Sequence, residues 1–197
     1  MRDRGRKQAN AVQRRRDQMN EPSAFEIFRQ MAPVDPGELV GLWKGRGVPT
    51  GHPLDGVLEN LGWFGKRFTQ DLRADALLFQ SGERRLTAID PAPIPVNLAL
   101  RFHHLGRTRA ARNLFSYLQR GLRAHGPTAR LKVLSYDGVQ SAAMVYDRMP
   151  ITDHFRQKDK DTLMGLMVIE KDARRYLFEL ERVKDAAEAE RCQDLKR

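Results

Sequence analysis

The sequence predicts a mainly β protein: a closed antiparallel barrel of about eight to ten strands with a few helices covering it. Three observations carry that expectation. The last third of the chain is a run of short alternating segments joined by tight turns. No strand–helix–strand rhythm runs through the sequence, which disfavours a doubly wound parallel sheet. A chain of 197 residues, 41% of them hydrophobic, can bury a sizeable core, and closing the sheet removes its edges.

Residues 1–20 are polar and basic with almost nothing to bury, and read as a disordered arm. Ser23 then caps a short helix, and Glu26 completes a capping box. Phe25, Ile27, Phe28 and Met31 give that helix an apolar face, which stops before Pro33. A strand is expected over 39–48, where Gly41, Gly45 and Gly47 imply close packing or a sharp bend. Leu54, Val57, Leu58 and Leu61 have helical spacing, halted by Gly62. Strands follow at 63–68, around 76–80 and, after a turn at Ser81-Gly82-Glu83, at 84–89. Pro91, Pro93 and Pro95 make the next stretch irregular.

From 107 to 123, Ala111, Leu114, Phe115, Leu118 and Leu122 form one apolar stripe, which predicts an amphipathic helix ended by Gly126-Pro127. Leu131, Val133 and Ser135 alternate into Asp137-Gly138, a two-residue hairpin signal, and 139–145 returns. The strand at 150–156 sets Ile151, Asp153 and Phe155 on one face and Thr152, His154 and Arg156 on the other. A strand at 162–169 and another through Tyr176, Phe178 and Leu180 complete a meander. The organisation expected is therefore an arm (1–20), one barrel domain (21–183) and a charged tail (184–197). Within the barrel domain lie an opening half at about 25–90, a basic helical insertion at about 100–126 and the meander at 129–183.

The formal charge of +10 is unevenly spread. Residues 1–20 carry a net +5 and residues 101–132 a net +8, so the remainder is slightly acidic at −3. Two basic segments on a near-neutral body do not amount to a nucleic-acid-binding signature, and no recognition motif or zinc knuckle accompanies them. Nucleic acid is disfavoured as a partner on those grounds. No stretch approaches the roughly 18–20 apolar residues a membrane helix needs, and no apolar run follows the N-terminal charges, so a cytoplasmic home is expected. The lone Cys192 excludes a disulfide framework, and no His, Cys or acidic spacing points to a metal.

Gly41-Leu42-Trp43-Lys44-Gly45 resembles the motif of the GXWXG-domain family, and Pro49-Thr50-Gly51-His52-Pro53 and Gly62-Trp63-Phe64-Gly65-Lys66-Arg67-Phe68 continue the likeness. Ala142–Asp147, Pro150–Arg156 and Gly165-Leu166-Met167 are similar to the family's companion C-terminal domain of unknown function. The resemblance spans roughly 25–183; it implies a fold but brings no activity. The Gly-x-Trp opening is also similar to calycins, including fatty-acid-binding proteins and haem-binding nitrobindins. In those barrels a tryptophan plugs the closed end while glycines let the backbone pass tightly over it.

The function expected is non-enzymatic: holding or sensing an apolar or amphiphilic small molecule, fatty acyl or phospholipid, inside the barrel. Arg156, Lys66 or Arg67 would fix an anionic head by a charge-assisted pair, and Tyr146, His154, His52 and Trp43 would complete the ligand site. Arg107, Arg109, Arg112, Arg120 and Arg123 would meet anionic membrane lipid. The alternative is a small-molecule isomerase, lyase or hydrolase using His154, Asp153 and Tyr146, although Asp153 and His154 alternate and only one of them can enter the lumen. No cofactor is assigned; haem held by His154 or His52 is the cofactor alternative.

Overall fold

The computed structural model describes residues 23–82 and 85–184, so the expected basic arm and all but the first residue of the charged tail lie outside the described residues. The chain divides into two compact units after Gln30. In the first, helix α1 (Ala24–Gln30) opens on the capping box anticipated at Ser23. The Ser23 amide donates to Glu26 Oε2 at 2.7 Å, and the Glu26 amide donates to Ser23 Oγ at 3.3 Å.

The second unit is the barrel. Its strands are β1 (Gly41–Val48), β2 (Trp63–Phe68), β3 (Arg73–Gln80), β4 (Leu86–Ala88), β5 (Ala129–Tyr136), β6 (Val139–Tyr146), β7 (Ile151–Asp159), β8 (Thr162–Ile169) and β9 (Arg175–Arg182). They run in the order β2-β1-β9-β8-β7-β6-β5-β3-β4, and β2 also pairs with β3. That last pairing closes a ring of eight antiparallel strands, while β4 lies outside the ring on β3. The hairpin β5–β6 turns at Asp137 (φ 49°) and Gly138 (φ 78°), the positive pair that a two-residue hairpin demands.

Aromatic rings fill the ring of strands. Trp43, Phe155, Tyr176 and Phe178 are all buried, and Gly45 and Gly165 lie flat beneath the rings of Trp63 and Phe178. A methyl group at either glycine would overlap the ring above it. Trp43 is buried in the core, and its indole N–H donates to the carbonyl of Leu39, the last residue of a 3-10 turn at Pro36–Leu39, at 2.6 Å.

One seam is filled from elsewhere in the chain. β6 and β7 pair only from Ala143↔His154 to Val145↔Thr152. Beyond that point residues 32–34 lie between them: the Ala142 amide donates to Val34 O (2.8 Å) and the Gln157 amide to Ala32 O (2.9 Å). The Ser141 hydroxyl receives the Val34 amide and donates to Phe155 O, each at 2.8–2.9 Å.

Four short α-helices accompany the strands of this unit among the described residues: α2 (Val57–Asn60), α3 (Val96–Arg101), α4 (His103–Gly106) and α5 (Arg109–Leu118). The single helix expected over 107–123 is shorter than its apolar stripe. Thr108 caps its start, accepting from the Ala111 amide at 3.2 Å. Its end is set by the sheet, because Asp90 N donates to Leu122 O and Ile89 bridges Arg123, so these residues continue the edge at β4 instead of the helix. No helix among the described residues is long and apolar enough to cross a membrane.

Candidate functional site

The lumen side of β7 is decided by its apolar residues. Ile151 and Phe155 pack in the core, and strand alternation carries Asp153 in with them. Opposite stands Lys66 on β2, whose irregular pairing with β3 shifts register between Gly65 and Arg67. Lys66 and Asp153 are 2% and 1% exposed, and Nζ lies 2.9 Å from Asp153 Oδ2. The ammonium also donates to Ala76 O at 2.9 Å and to the Tyr146 hydroxyl at 3.5 Å. It rests 5.1 Å from the centre of the Phe178 ring and 5.8 Å from those of Trp63 and Tyr146. An ion pair, a phenol and three aromatic faces thus share one apolar interior.

Burial raises the Asp153 carboxyl above the usual carboxylate range, against the opposing pull of Lys66. The Tyr146 and Tyr176 hydroxyls are likewise pushed up, first by burial and then by neighbouring carboxylates: Asp153 for Tyr146, and Glu59, Asp55 and Asp153 for Tyr176. Both Asp153 carboxylate oxygens lack a hydrogen-bond partner, Oδ2 being held by the ion pair with Lys66, and so do the buried Tyr176 Oη and His52 Nε2. His52 lies beside Tyr176, with ring centres 5.4 Å apart, and its Nδ1 accepts from the Leu54 amide at 3.1 Å. Burial lowers its pKa.

Tyr146 also belongs to the wall of a cleft of about 260 Å³. Asp90, Pro91, Ala124, Pro127 and Thr128 line the same cleft, at the two places where the helical insertion leaves and rejoins the barrel. Tyr146 therefore links that cleft to the Lys66–Asp153 pair.

The ligand residues expected from the sequence divide sharply. Lys66 and Tyr146 come together, and Trp43 and His52 are buried, Trp43 in the core with Arg182 over its ring and His52 next to Tyr176. His154 and Arg156, expected among the ligand residues on a strand whose lumen face the sequence left open, point to the outer face of β7. There His154 stacks on Tyr136, ring centres 4.7 Å apart, and burial followed by Arg156 and Arg175 lowers its pKa to about 4. Arg156 donates to the carbonyls of Phe155, Tyr136 and Val139 at 3.1–3.3 Å, so it secures the β5–β6 turn. Arg67 lies 3.6 Å from Asp75, in a partly exposed pair. Of the two histidines expected as haem ligands, His154 stands on the outer face of β7 and His52 beside Tyr176. Asp153, named in the enzymatic alternative but not among the ligand residues, joins Lys66 and Tyr146 in the interior. Its signal in the sequence was its place between Ile151 and Phe155.

The arginines of the insertion divide too. Arg107 Nε donates to Asp55 O, and Arg112 donates to the Asn60 carbonyl and side-chain oxygen, all at 2.8–2.9 Å. The Asn60 amide in turn donates to the carbonyls of Gly106 and Thr108. These contacts clamp α4 and α5 onto α2. Arg109, Arg120 and Arg123 join no ion pair among the described residues. Nor do any three His, Cys, Asp or Glu side chains among those residues gather to hold a metal.

Comparison with known proteins supports the architecture. Residues 26–83 match the family described as GXWXG protein, and residues 127–182 match a domain of unknown function, DUF4334. The helical insertion falls between the two matched segments. A crystal structure of a protein from Thermomonospora curvata is similar over 82% of this chain and 86% of its own, at 26% identity and a TM-score of 0.61. No curated protein matches the chain.

Proposed function

Since the chain carries a GXWXG domain followed by a DUF4334 domain, which bring a fold and no activity, we propose from its geometry that it binds a small amphiphile at the Lys66–Asp153–Tyr146 cluster. The ligand's apolar part would occupy the cleft beside Tyr146 and its acidic head would turn inward to Lys66. The observation that carries this reading is a buried cation, Lys66, whose ion-pair partner Asp153 keeps a buried carboxylate oxygen, Oδ1, without a hydrogen-bond partner. Burying such an atom without a partner costs on the order of 1–3 kcal/mol, and a ligand head group would relieve that cost. A volume of about 260 Å³ suits a short chain or compact ring better than a full-length acyl tail.

A ligand carboxylate competing for Lys66 would leave Asp153 without its counter-charge. Asp153, already raised by burial, would then take up a proton. Binding that takes up a proton weakens as pH rises. The test is native mass spectrometry of the purified full chain with extraction of whatever it carries, followed by titration with fluorescent fatty acids of short, medium and long chain. Expected are a bound amphiphile, a preference for the shorter probes, and affinity that falls with rising pH. Lys66→Met should cost at least about tenfold in affinity, and Asp153→Asn should remove the pH dependence. Protein that is empty and binds none of the probes would sink the proposal.

A second reading has one observation in its favour. Tyr146, Lys66 and Asp153 converge where a small apolar substrate could exchange a proton with Asp153. Incubating the extracted ligand with fresh protein separates the two readings, because a carrier returns it unchanged.

A further inference from the structure

The helical cover shows water a face that the barrel leaves bare. On α5, Leu114, Tyr117 and Leu118 are 60%, 81% and 45% exposed, and Phe102 and Leu105 at α4 are 44% and 52% exposed. An amphipathic helix ordinarily turns its apolar arc to the core. Here the barrel takes only the Ala111 and Phe115 side of α5, with Phe115 against Phe79 at 4.7 Å between ring centres. The arc is wider than its seat, and Phe102 and Leu105 at the preceding short helix are exposed as well. Five large apolar residues grouped on neighbouring short helices exceed the scatter normal for a surface.

Charge supplies the second observation. From Pro91 to Tyr136 the chain has no acidic residue and eight Lys or Arg. Arg130 pairs with Asp147. The clamp partners of Arg107 and Arg112 are carbonyl and amide oxygens, which leave their positive charge unneutralised. Arg107 and Arg109 stand at the start of α5, and Arg120 and Arg123 follow its end, so basic residues bracket the apolar flank.

We propose that this face docks on an anionic membrane surface. Leu114, Tyr117 and Leu118 would sit among the head groups together with Phe102 and Leu105, while the bracketing arginines meet phosphate and carboxylate. The inference goes beyond ligand binding and does not require it. Two other occupants fit less well. A second copy apposed about a two-fold axis would set one arginine-rich face against another. Single-stranded nucleic acid could stack on Tyr117 and Phe102 but would gain little from Leu105, Leu114 and Leu118.

Co-sedimentation of the full chain with vesicles of phosphatidylcholine, alone or mixed with phosphatidylserine, tests the proposal. Expected is binding to the anionic vesicles alone, weakening as salt rises. L114S/Y117S/L118S should lower the partition coefficient about tenfold or more, and R109E/R120E/R123E should abolish binding. Both should melt like the parent, because the substituted residues are exposed. Should either melt lower, Tyr117→Trp decides by fluorescence: a blue shift on anionic vesicles supports docking, and no shift overturns it. Failure of the parent to bind also overturns it. So does binding by both triple variants at the parent level, since the cations of residues 1–20 would then carry the contact. A face lost only with the arginines, with an oligonucleotide bound more tightly than vesicles, assigns it to nucleic acid and overturns docking. The double variant K66M/D153L, which removes the interior site without stranding a buried charge, should dock like the parent, so loss of the interior site and loss of docking remain distinguishable.

Discussion

Lys66 and Asp153 are an ion pair with almost no access to water, and such a pair is costly to break from one side. Lys66→Met at neutral pH leaves a buried carboxylate without its partner and should destabilise the fold by about 3–5 kcal/mol. Adding Asp153→Leu should restore much of that loss, and denaturant titrations of the single and double variants check it. A pair that proves no costlier to halve than to remove whole would mean water reaches it. His154 governs a different pH range. Its folded value of about 4 lies below the ordinary 6.5, so the folded chain keeps it neutral while the unfolded chain protonates it. Its contribution is complete above the unfolded value and is lost as pH falls from about 6.5 to about 4, on the order of 3 kcal/mol at most. His154→Phe should flatten the decline of melting temperature over that interval, and an unchanged slope would place the acid sensitivity in other groups. The sequence made Lys66 and Tyr146 legible, a cation and a phenol near predicted strands. It left the parity of β7 undecided because both faces carry polar residues. The packing of Ile151 and Phe155 decides it, sending Asp153 inward and His154 and Arg156 out.

Strands and turns were the most legible elements because local chemistry specifies them. Asp137-Gly138 forces a hairpin, and the Gly41–Val48 strand with its alternate glycines is where rings must lie flat on the backbone. The same device recurs on β8, where Gly165 accommodates the Phe178 ring, and only the three-dimensional pairing of Gly165 with Phe178 reveals it. Gly165→Ala should therefore cost about 1–3 kcal/mol by overpacking. Combining it with Phe178→Leu should cost less than the two separate losses added, because the smaller side chain vacates the space the methyl needs. Additive losses in the thermal melts would show that the ring moves aside freely. The insertion was less legible. Periodicity sees the stripe from Ala111 to Leu122 but cannot see that the backbone of Leu122 and Arg123 is claimed by the edge beyond β4. Nor can it see that the stripe is only partly covered, since coverage depends on a barrel wall far away in sequence.

At the scale of the whole molecule, the meander was readable strand by strand, but ring closure was not. The pairings β1–β9 and β3–β5, and the placement of residues 32–34 in the β6–β7 seam, join segments with no local signal for one another. Charge is distributed just as unevenly as contact. Residues 1–20 and 101–132 carry +5 and +8 against a formal net charge of +10, and the insertion is held to α2 by hydrogen bonds to uncharged oxygens. Its arginines therefore repel one another with little local compensation, and the repulsion reaches farther when salt is scarce. The Debye length shrinks from about 30 Å at 0.01 M to about 8 Å at 0.15 M, so added salt should quiet the insertion while leaving the neutral barrel as it was. Amide hydrogen exchange across that range should show protection rising in α5, with β7, β8 and β9 nearly unchanged. R109E/R120E/R123E lowers the formal charge from +10 to +4 and should remove most of the salt response. Equal changes in α5 and the sheet would instead mean that the insertion and the barrel open as one cooperative unit, with the clamp through Asn60, Arg107 and Arg112 as strong as the sheet itself.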